Sequence, residues 1–348
     1  MLSMFKICFA QMVDMTVEPF DLYDITIIGA GPTGLFAAFY AAGMRGMRTK
    51  VIEALDVYGG QLTVLYPDKF IYDVAGFPKI LSKDLAKQLY EQAMAHKPTM
   101  AYSEKVLDLK RLDGGIFELV TDKNVHFSRT VLIAAGHGAF TPRKLGNPSV
   151  ERFENKGVFY TVQERAAFRN KRVVIVGGGD SAVDWALNLK DIAKETYLVH
   201  RRMEFRAHEG SVVELFHSNV KVLVPYEVKE AYGGSHLEAV KVFNNKTGEE
   251  MTIECDALIL QLGHLVDVSL FKKWGLEMDG NAIKVNGRCE TNIPGVYAAG
   301  DIASQTDSIK LNLLVIGFAQ AAIAVNVAKN YIDPKASYFP GHSSERRM

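Results

Sequence analysis

Twice along this chain an apolar, β-branched run stops on a glycine-rich turn and passes directly into a helix-compatible stretch. That arrangement admits few folds. The first copy is Tyr23-Asp24-Ile25-Thr26-Ile27-Ile28, then Gly29-Ala30-Gly31-Pro32-Thr33-Gly34, then an Ala- and aromatic-rich run from Leu35 to Ala42, then Thr49-Lys50-Val51-Ile52 ending on Glu53. The second is Arg172-Val173-Val174-Ile175-Val176, then Gly177-Gly178-Gly179-Asp180-Ser181-Ala182, then Val183 to Lys190, then Thr196-Tyr197-Leu198-Val199. Each reads as a βαβ unit, its strands continuously apolar because a parallel sheet is buried on both faces. At 348 residues the chain is long enough for about two cores. The expected fold class is α/β, with two Rossmann-like (three-layer ββα) dinucleotide-binding domains.

Between the two units, segments such as Ile116-Phe117-Glu118-Leu119-Val120 predict antiparallel strands about the Asp113-Gly114-Gly115 turn. Val131 to Gly136 and Ala257 to Gly263 close the two regions in the same way and read as crossovers between domains, with Gly136 and Gly263 as hinge candidates. A helix is predicted from Leu311 to Ala328, and Pro334 and Pro340 punctuate the tail. Residues 1–20 hold a short apolar patch but no convincing cleavage site, and read as a loosely attached leader.

The glycines of each turn have separate tasks: the first allows the tight turn, the second lets backbone approach a pyrophosphate, and the third lets helix and strand pack closely. Unpaired N–H groups at the helix start attract the phosphate charge. Gly29, Gly31 and Gly34 fit in order, and Gly177, Gly179 and Ala182 fit the variant ending in alanine. The residues at the end of each unit's second strand separate the ligands. Glu53, 24 positions after Gly29, can accept from both ribose hydroxyls and would repel a 2′-phosphate, which suits FAD or NAD. The corresponding place in the second unit holds His200-Arg201-Arg202, with Arg206 beyond, and forked guanidinium groups suit the 2′-phosphate of NADPH. A solvated basic face is the plainer alternative. Asp301, after Tyr297-Ala298-Ala299-Gly300, is compatible with a helix N-cap and with hydrogen bonding to a ribityl chain; its place after two dinucleotide units favours the latter.

Formal net charge is zero, so no global electrostatic attraction to nucleic acid is signalled. Cys8, Cys255 and Cys289 lie far apart with no CxxC, which reads as reduced thiols of a cytoplasmic protein rather than a dithiol or a metal site. No apolar run is read as crossing a membrane.

The motifs Gly29 to Gly34, Gly59-Gly60-Gln61, Gly177 to Ala182, His200-Arg201-Arg202 and Tyr297 to Asp301 together resemble the thioredoxin-reductase-type flavoproteins over residues 21 to 348. Where those enzymes carry their redox-active CxxC this chain has Tyr160-Thr161-Val162-Gln163, and disulfide exchange needs a thiolate. The match is closer to the branch without the dithiol, the bacterial thioredoxin-reductase-like ferredoxin/flavodoxin–NADP⁺ reductases. It is carried by Leu65-Tyr66-Pro67, Ile71 to Pro78, Gly179 to Leu187, Phe205 to Glu209, Glu290 to Gly295, and the tail Tyr331 to Ala336 with His342-Ser343.

The resemblance implies a homodimer whose FAD domain, 21–138 with 263–348, is split around an NADPH domain at 139–262. It implies FAD contacts from Gly29, Gly31, Pro32, Thr33, Gly34, Glu53, Gly60, Gln61, Leu62, Tyr66, Val74, Val106, Phe140, Asp301 and Ser343. NADPH contacts are implied from Gly177, Gly179, Asp180, Ser181, Ala182, His200, Arg201, Arg202 and Arg206, and no metal. Tyr66 would stack on one flavin face and His342 of the partner subunit would cover the other, although the residues alone leave open a core tyrosine and a surface tail histidine. The chemistry would be the cofactors', with electrons passing between NADPH and ferredoxin or flavodoxin through FAD and no side chain acting as acid or base. Arg143, Lys144, Arg165, Arg169, Lys171 and Arg172 are candidates for a basic carrier-docking patch. The rival readings are an NADPH diaphorase or oxidase without ferredoxin specificity and a flavin-based redox sensor.

Overall fold

The strand Leu22–Ile28 lies at the centre of the first sheet, flanked in parallel by Thr49–Ile52 and by Val125–Ile133. A computed structural model describes residues 22–136, 138, 141–162, 164–265, 268–306, 308–342 and 344. The leader, Phe140, Gln163 and Ser343 lie outside the described residues. Thr99–Ala101 extends the sheet on one side, while Val296–Ala298, from far along the chain, pairs in parallel with the end of Val125–Ile133. The start of that same long strand pairs antiparallel with Phe117–Thr121, which pairs with Val106–Arg111, so one strand serves two layers.

The second sheet is wholly parallel, in the order Val158–Phe159, Ala257–Leu260, Arg172–Val176, Glu195–Val199, Lys221–Leu223. An antiparallel meander of Tyr226–Tyr232, Ala239–Asn244 and Glu250–Glu254 covers one face. The two domains are joined by chain segments that pair with each other, Thr141–Pro142 against His264–Leu265. Gly136 and Gly263, beside these segments, have φ of +57° and +84°, backbone that glycine adopts without strain.

Both glycine turns feed helices that start on a glycine with no side-chain cap, Pro32–Phe39 after Gly31 and Asp180–Leu189 after Gly179. Pro32 suits the first helical position because its missing N–H would have no partner there. In the second helix Ala182, Trp185, Ala186 and Leu189 recur at helical spacing and are buried. The C-terminal helix is Leu314–Ile332, three residues later at its start than its apolar pattern suggests. Contrary to the expectation from the sequence, it is long and apolar enough by length and composition to cross a membrane. One face, with Ala321, Ala324, Val325 and Ala328, is buried in the core with the first glycine-turn helix.

Candidate functional site

A cavity of about 1510 Å³ runs between the domains. Gly31, Thr33, Glu53, Gln61, Tyr66 and Asp301 line it from one side, and Asp180, Ser181, Asp184 and His208 from the other. The starts of both glycine-turn helices therefore open on one space. A side chain at Gly31 or Gly179 would meet nothing within 4 Å, so the backbone at both places is bare toward a ligand.

On the first side the end of Thr49–Ile52 delivers Glu53, which is 7 % exposed. Its Oε2 accepts from the Ala30 amide at 2.7 Å and its Oε1 from the Leu55 amide at 2.9 Å. Burial raises its pKa above the usual carboxylate value, opposed by the backbone N–H groups of Leu55, Ala30 and Ala54. The amide bonds fix the carboxylate at the cavity wall, where a diol could donate to it.

Asp301 sits in the short 3₁₀ turn Gly300–Ile302, inside the turn rather than at its cap, which removes the N-cap alternative. It accepts from Gln61 Nε2 at 3.1 Å, and the turn is anchored by the Gly300 amide donating to Gln320 Oε1 at 2.8 Å. Tyr66 lies where the cores of both domains meet. Burial, then Asp301 and Asp73, push its phenol up to about 12, so it stays protonated and neutral.

The second side works through loop stapling. Asp180 turns its Oδ1 to the His208 amide at 2.8 Å, and the Arg206 amide donates to Gly178 O at 2.7 Å. These bonds tie the arginine loop to the glycine turn. Burial lowers the His200 pKa, as do the cationic Arg202, Arg201 and Arg206, against a bond to Glu204 O that raises it. The imidazole contacts Glu204 O through Nε2 at 3.0 Å and stands 2.1 Å from where a Gly178 Cβ would be. His200 thus props the turn, and the charge on this loop is carried by the arginines. Arg201 and Arg202 line a second cavity of about 490 Å³ with Pro225, Glu227, Asn245 and Lys246. Among the described residues neither arginine has a carboxylate partner.

Gly29, Pro32, Gly60, Leu62 and Val106 also line the large cavity. Gly34, Gly177 and Ala182 act behind the wall, in packing. Val74 is buried in the first core and is not on the cavity wall. His342 is exposed, against Phe339 at 5.1 Å, and does not line the cavity of its own chain. Of the proposed docking patch, Lys144 is paired with Glu154 at 2.7 Å and Arg172 with Asp256 at 2.8 Å and with Glu254, so these charges are already offset. Lys69 and Asn245 belong to no motif legible in the sequence. Asn245 Nδ2 donates to Arg201 O and to Glu227 Oε1, both at 2.9 Å. The parts these two residues play depend on contacts between distant segments, for which no local signal exists.

Two dinucleotide-type domains sharing one cavity define a class of oxidoreductase, and the model of the pyridine nucleotide-disulphide oxidoreductase family matches residues 23–325. Among solved structures, thioredoxin reductase of T. acidophilum is similar at TM-score 0.78 and 27 % identity, covering 90 % of this chain and 99 % of that one. The class's disulfide chemistry has no counterpart at Tyr160-Thr161-Val162-Gln163, and burial pushes the thiols of Cys255 and Cys289 up to about 12. Ferredoxin–NADP reductase 2 of Shouchella clausii is 51 % identical over 94 % of this chain and 98 % of its own length. The ferredoxin–NADP reductase of Geobacillus kaustophilus is 49 % identical with the same coverage. The chain belongs to the ferredoxin–NADP reductase family.

Proposed function

We propose that this protein is a ferredoxin (flavodoxin)–NADP⁺ reductase, passing electrons reversibly between NADPH and a one-electron carrier protein by way of FAD. The observation that carries this reading is the shared cavity, onto which both phosphate-attracting helix starts open with no dithiol between them. FAD, when bound, supplies the exchange between a two-electron donor and a one-electron acceptor. The first glycine turn attracts its pyrophosphate, Glu53 accepts from the adenosine ribose, Asp301 with Gln61 faces the ribityl chain, and Tyr66 covers the ring. Arg201 and Arg202, with Arg206, grip the 2′-phosphate of NADPH, and Asp180 keeps the loop that carries them in register.

The domain division at 139–262, the hinges at Gly136 and Gly263 and a cytoplasmic location belong to the same proposal. So does a homodimer. Val315, Ile323 and Tyr331 on the C-terminal helix, with Tyr338 and Phe339 in the tail, are exposed apolar groups, and a second copy covering them would bring His342 of the partner subunit to the flavin.

The test mixes purified yellow protein, NADPH and ferredoxin with cytochrome c as final acceptor. Reduction of cytochrome c that depends on ferredoxin is the expected result. Oxygen uptake without ferredoxin would favour the oxidase reading, and bleaching without turnover the sensor.

Glu53 adds a pH prediction. Its raised pKa in the folded protein means that its contribution to the stability of the FAD-free form is fully present below the unfolded value and lost as pH rises through the folded one. Ribose hydroxyls donate to the ionised carboxylate, so FAD binding lowers that pKa and offsets the loss. The gain in melting temperature on adding FAD therefore grows with pH through the Glu53 titration and shrinks on acidification. In Glu53→Gln this pH dependence is absent and FAD binds about 10- to 100-fold more weakly, as loss of a charge-assisted hydrogen bond implies. A gain that does not change with pH in the unaltered protein would contradict the assignment.

A further inference from the structure

We propose that Lys69 and Asp184 are positioning residues, whose ion pair sets how the inserted domain faces the flavin cavity and thereby the rate of electron delivery from NADPH. The inference rests on the electron-transfer reading above.

Lys69 Nζ lies 3.0 Å from Asp184 Oδ2, and the two side chains are 11 % and 36 % exposed. The lysine backbone is pinned to the first domain. Its amide donates to Tyr66 O at 3.1 Å, and its carbonyl accepts from the Ser82 amide at 2.9 Å and from Ser82 Oγ at 3.1 Å. Asp184 is carried by the second glycine-turn helix, one turn beyond its start. The pair therefore joins the wall next to Tyr66 to the helix whose first residues face the NADPH phosphates.

The surroundings strengthen it. The ammonium stands 5.7 Å from the Tyr66 ring centre and 5.4 Å from that of the fully buried Trp185. The lysine end is shielded, so its charge is screened by salt less than an exposed one, and losing Asp184 leaves that ammonium poorly compensated. A weaker link lies beside it: the Arg165 amide donates to Asp68 Oδ2 at 3.3 Å, while Lys83 holds the other oxygen of Asp68 at 2.7 Å. Among the described residues no helix of one domain packs broadly on an element of the other. Orientation is thus left to a few directional contacts, among them the Lys69–Asp184 ion pair, whose lysine side chain is 11 % exposed. Both residues line the shared cavity, where a misplacement of about 1 Å between reacting groups slows transfer about 10²-fold.

The holoenzyme is tested as Lys69→Met, Asp184→Asn, Lys69→Arg and the double exchange Lys69→Asp with Asp184→Lys. Three quantities are measured: FAD content, affinity for 2′,5′-ADP by titration, and the rate of flavin bleaching by NADPH in anaerobic stopped flow. The expected result is unchanged FAD content and 2′,5′-ADP affinity in every variant. Bleaching slows by about 10- to 100-fold in Lys69→Met and Asp184→Asn, Lys69→Arg keeps most of the rate, and the double exchange recovers part of it. Unchanged or faster bleaching in both single variants overturns the proposal. So does a rate loss matched by equal loss of FAD or of 2′,5′-ADP binding, which would mark general structural damage. Failure of the unaltered protein to bleach with NADPH would instead overturn the electron-transfer reading itself.

Discussion

Gly34→Ala yields a protein without FAD. An added Cβ would lie 1.9 Å from the backbone oxygen of Gly29, where ordinary contact begins at 3.4 Å. Both groups are tied to backbone, so no side-chain rotation relieves the overlap. Gly29 cannot retreat either, because it lies against the backbone of Ala134, where its own Cβ would be 2.6 Å from the carbonyl oxygen. The helix Pro32–Phe39 must therefore lift from the sheet, and its bare N–H groups leave the phosphate position. Overpacking of this kind costs about 1–3 kcal/mol of stability, and the displaced amides no longer meet the pyrophosphate.

The informative partner is Gly31→Ala. Here a Cβ meets no protein atom within 4 Å, and φ of −70° suits any residue. The melting temperature of the FAD-free protein should stay unchanged, while FAD is lost because the methyl group occupies its approach. Flavin absorbance per chain and melting of the stripped protein separate the two mechanisms. FAD retained in Gly31→Ala would show that no ligand comes close to this turn.

The second large effect is expected from Arg201→Ala with Arg202→Ala. Both side chains are exposed and neither has a carboxylate partner among the described residues, so their removal should cost little stability. A hydrogen bond between charged groups contributes about 1.5–3 kcal/mol. Discounting for solvent screening, the pair should raise the NADPH Michaelis constant about 10²-fold and leave that for NADH within a small factor. Because the contact is exposed, the preference of the unaltered protein for NADPH should also decline as salt rises. His200 differs: its lowered pKa leaves it neutral, and its replacement should disturb the turn at Gly178 rather than the choice between NADPH and NADH. Equal losses for NADPH and NADH in the double-arginine variant would contradict the assignment of this loop.

The glycine turns, Glu53 and the arginines could be read directly from the chain because each answers a local demand. Bare backbone next to a phosphate requires glycine, and a carboxylate or a guanidinium at the end of the second strand repels or attracts a 2′-phosphate by its charge alone. Val74 shows what a motif leaves open about a side chain's surroundings. It stands in a stretch matched to the family, yet its side chain fills the first core. The docking patch shows the same for charge, since Lys144 and Arg172 are already offset by carboxylates that fold back from residues 154, 254 and 256.

Composition and periodicity determined that there would be two dinucleotide-type units and which charge each would present to its ligand, because those properties reside in a few consecutive residues. Only the tertiary structure decided that the two units share one cavity, that Asp301 meets Gln61 across 240 positions, and that Lys69 meets Asp184 across 115. Such contacts arise when separately formed sheets dock, and docking depends on shape and desolvation over whole surfaces, for which a linear string of residues has no local signature.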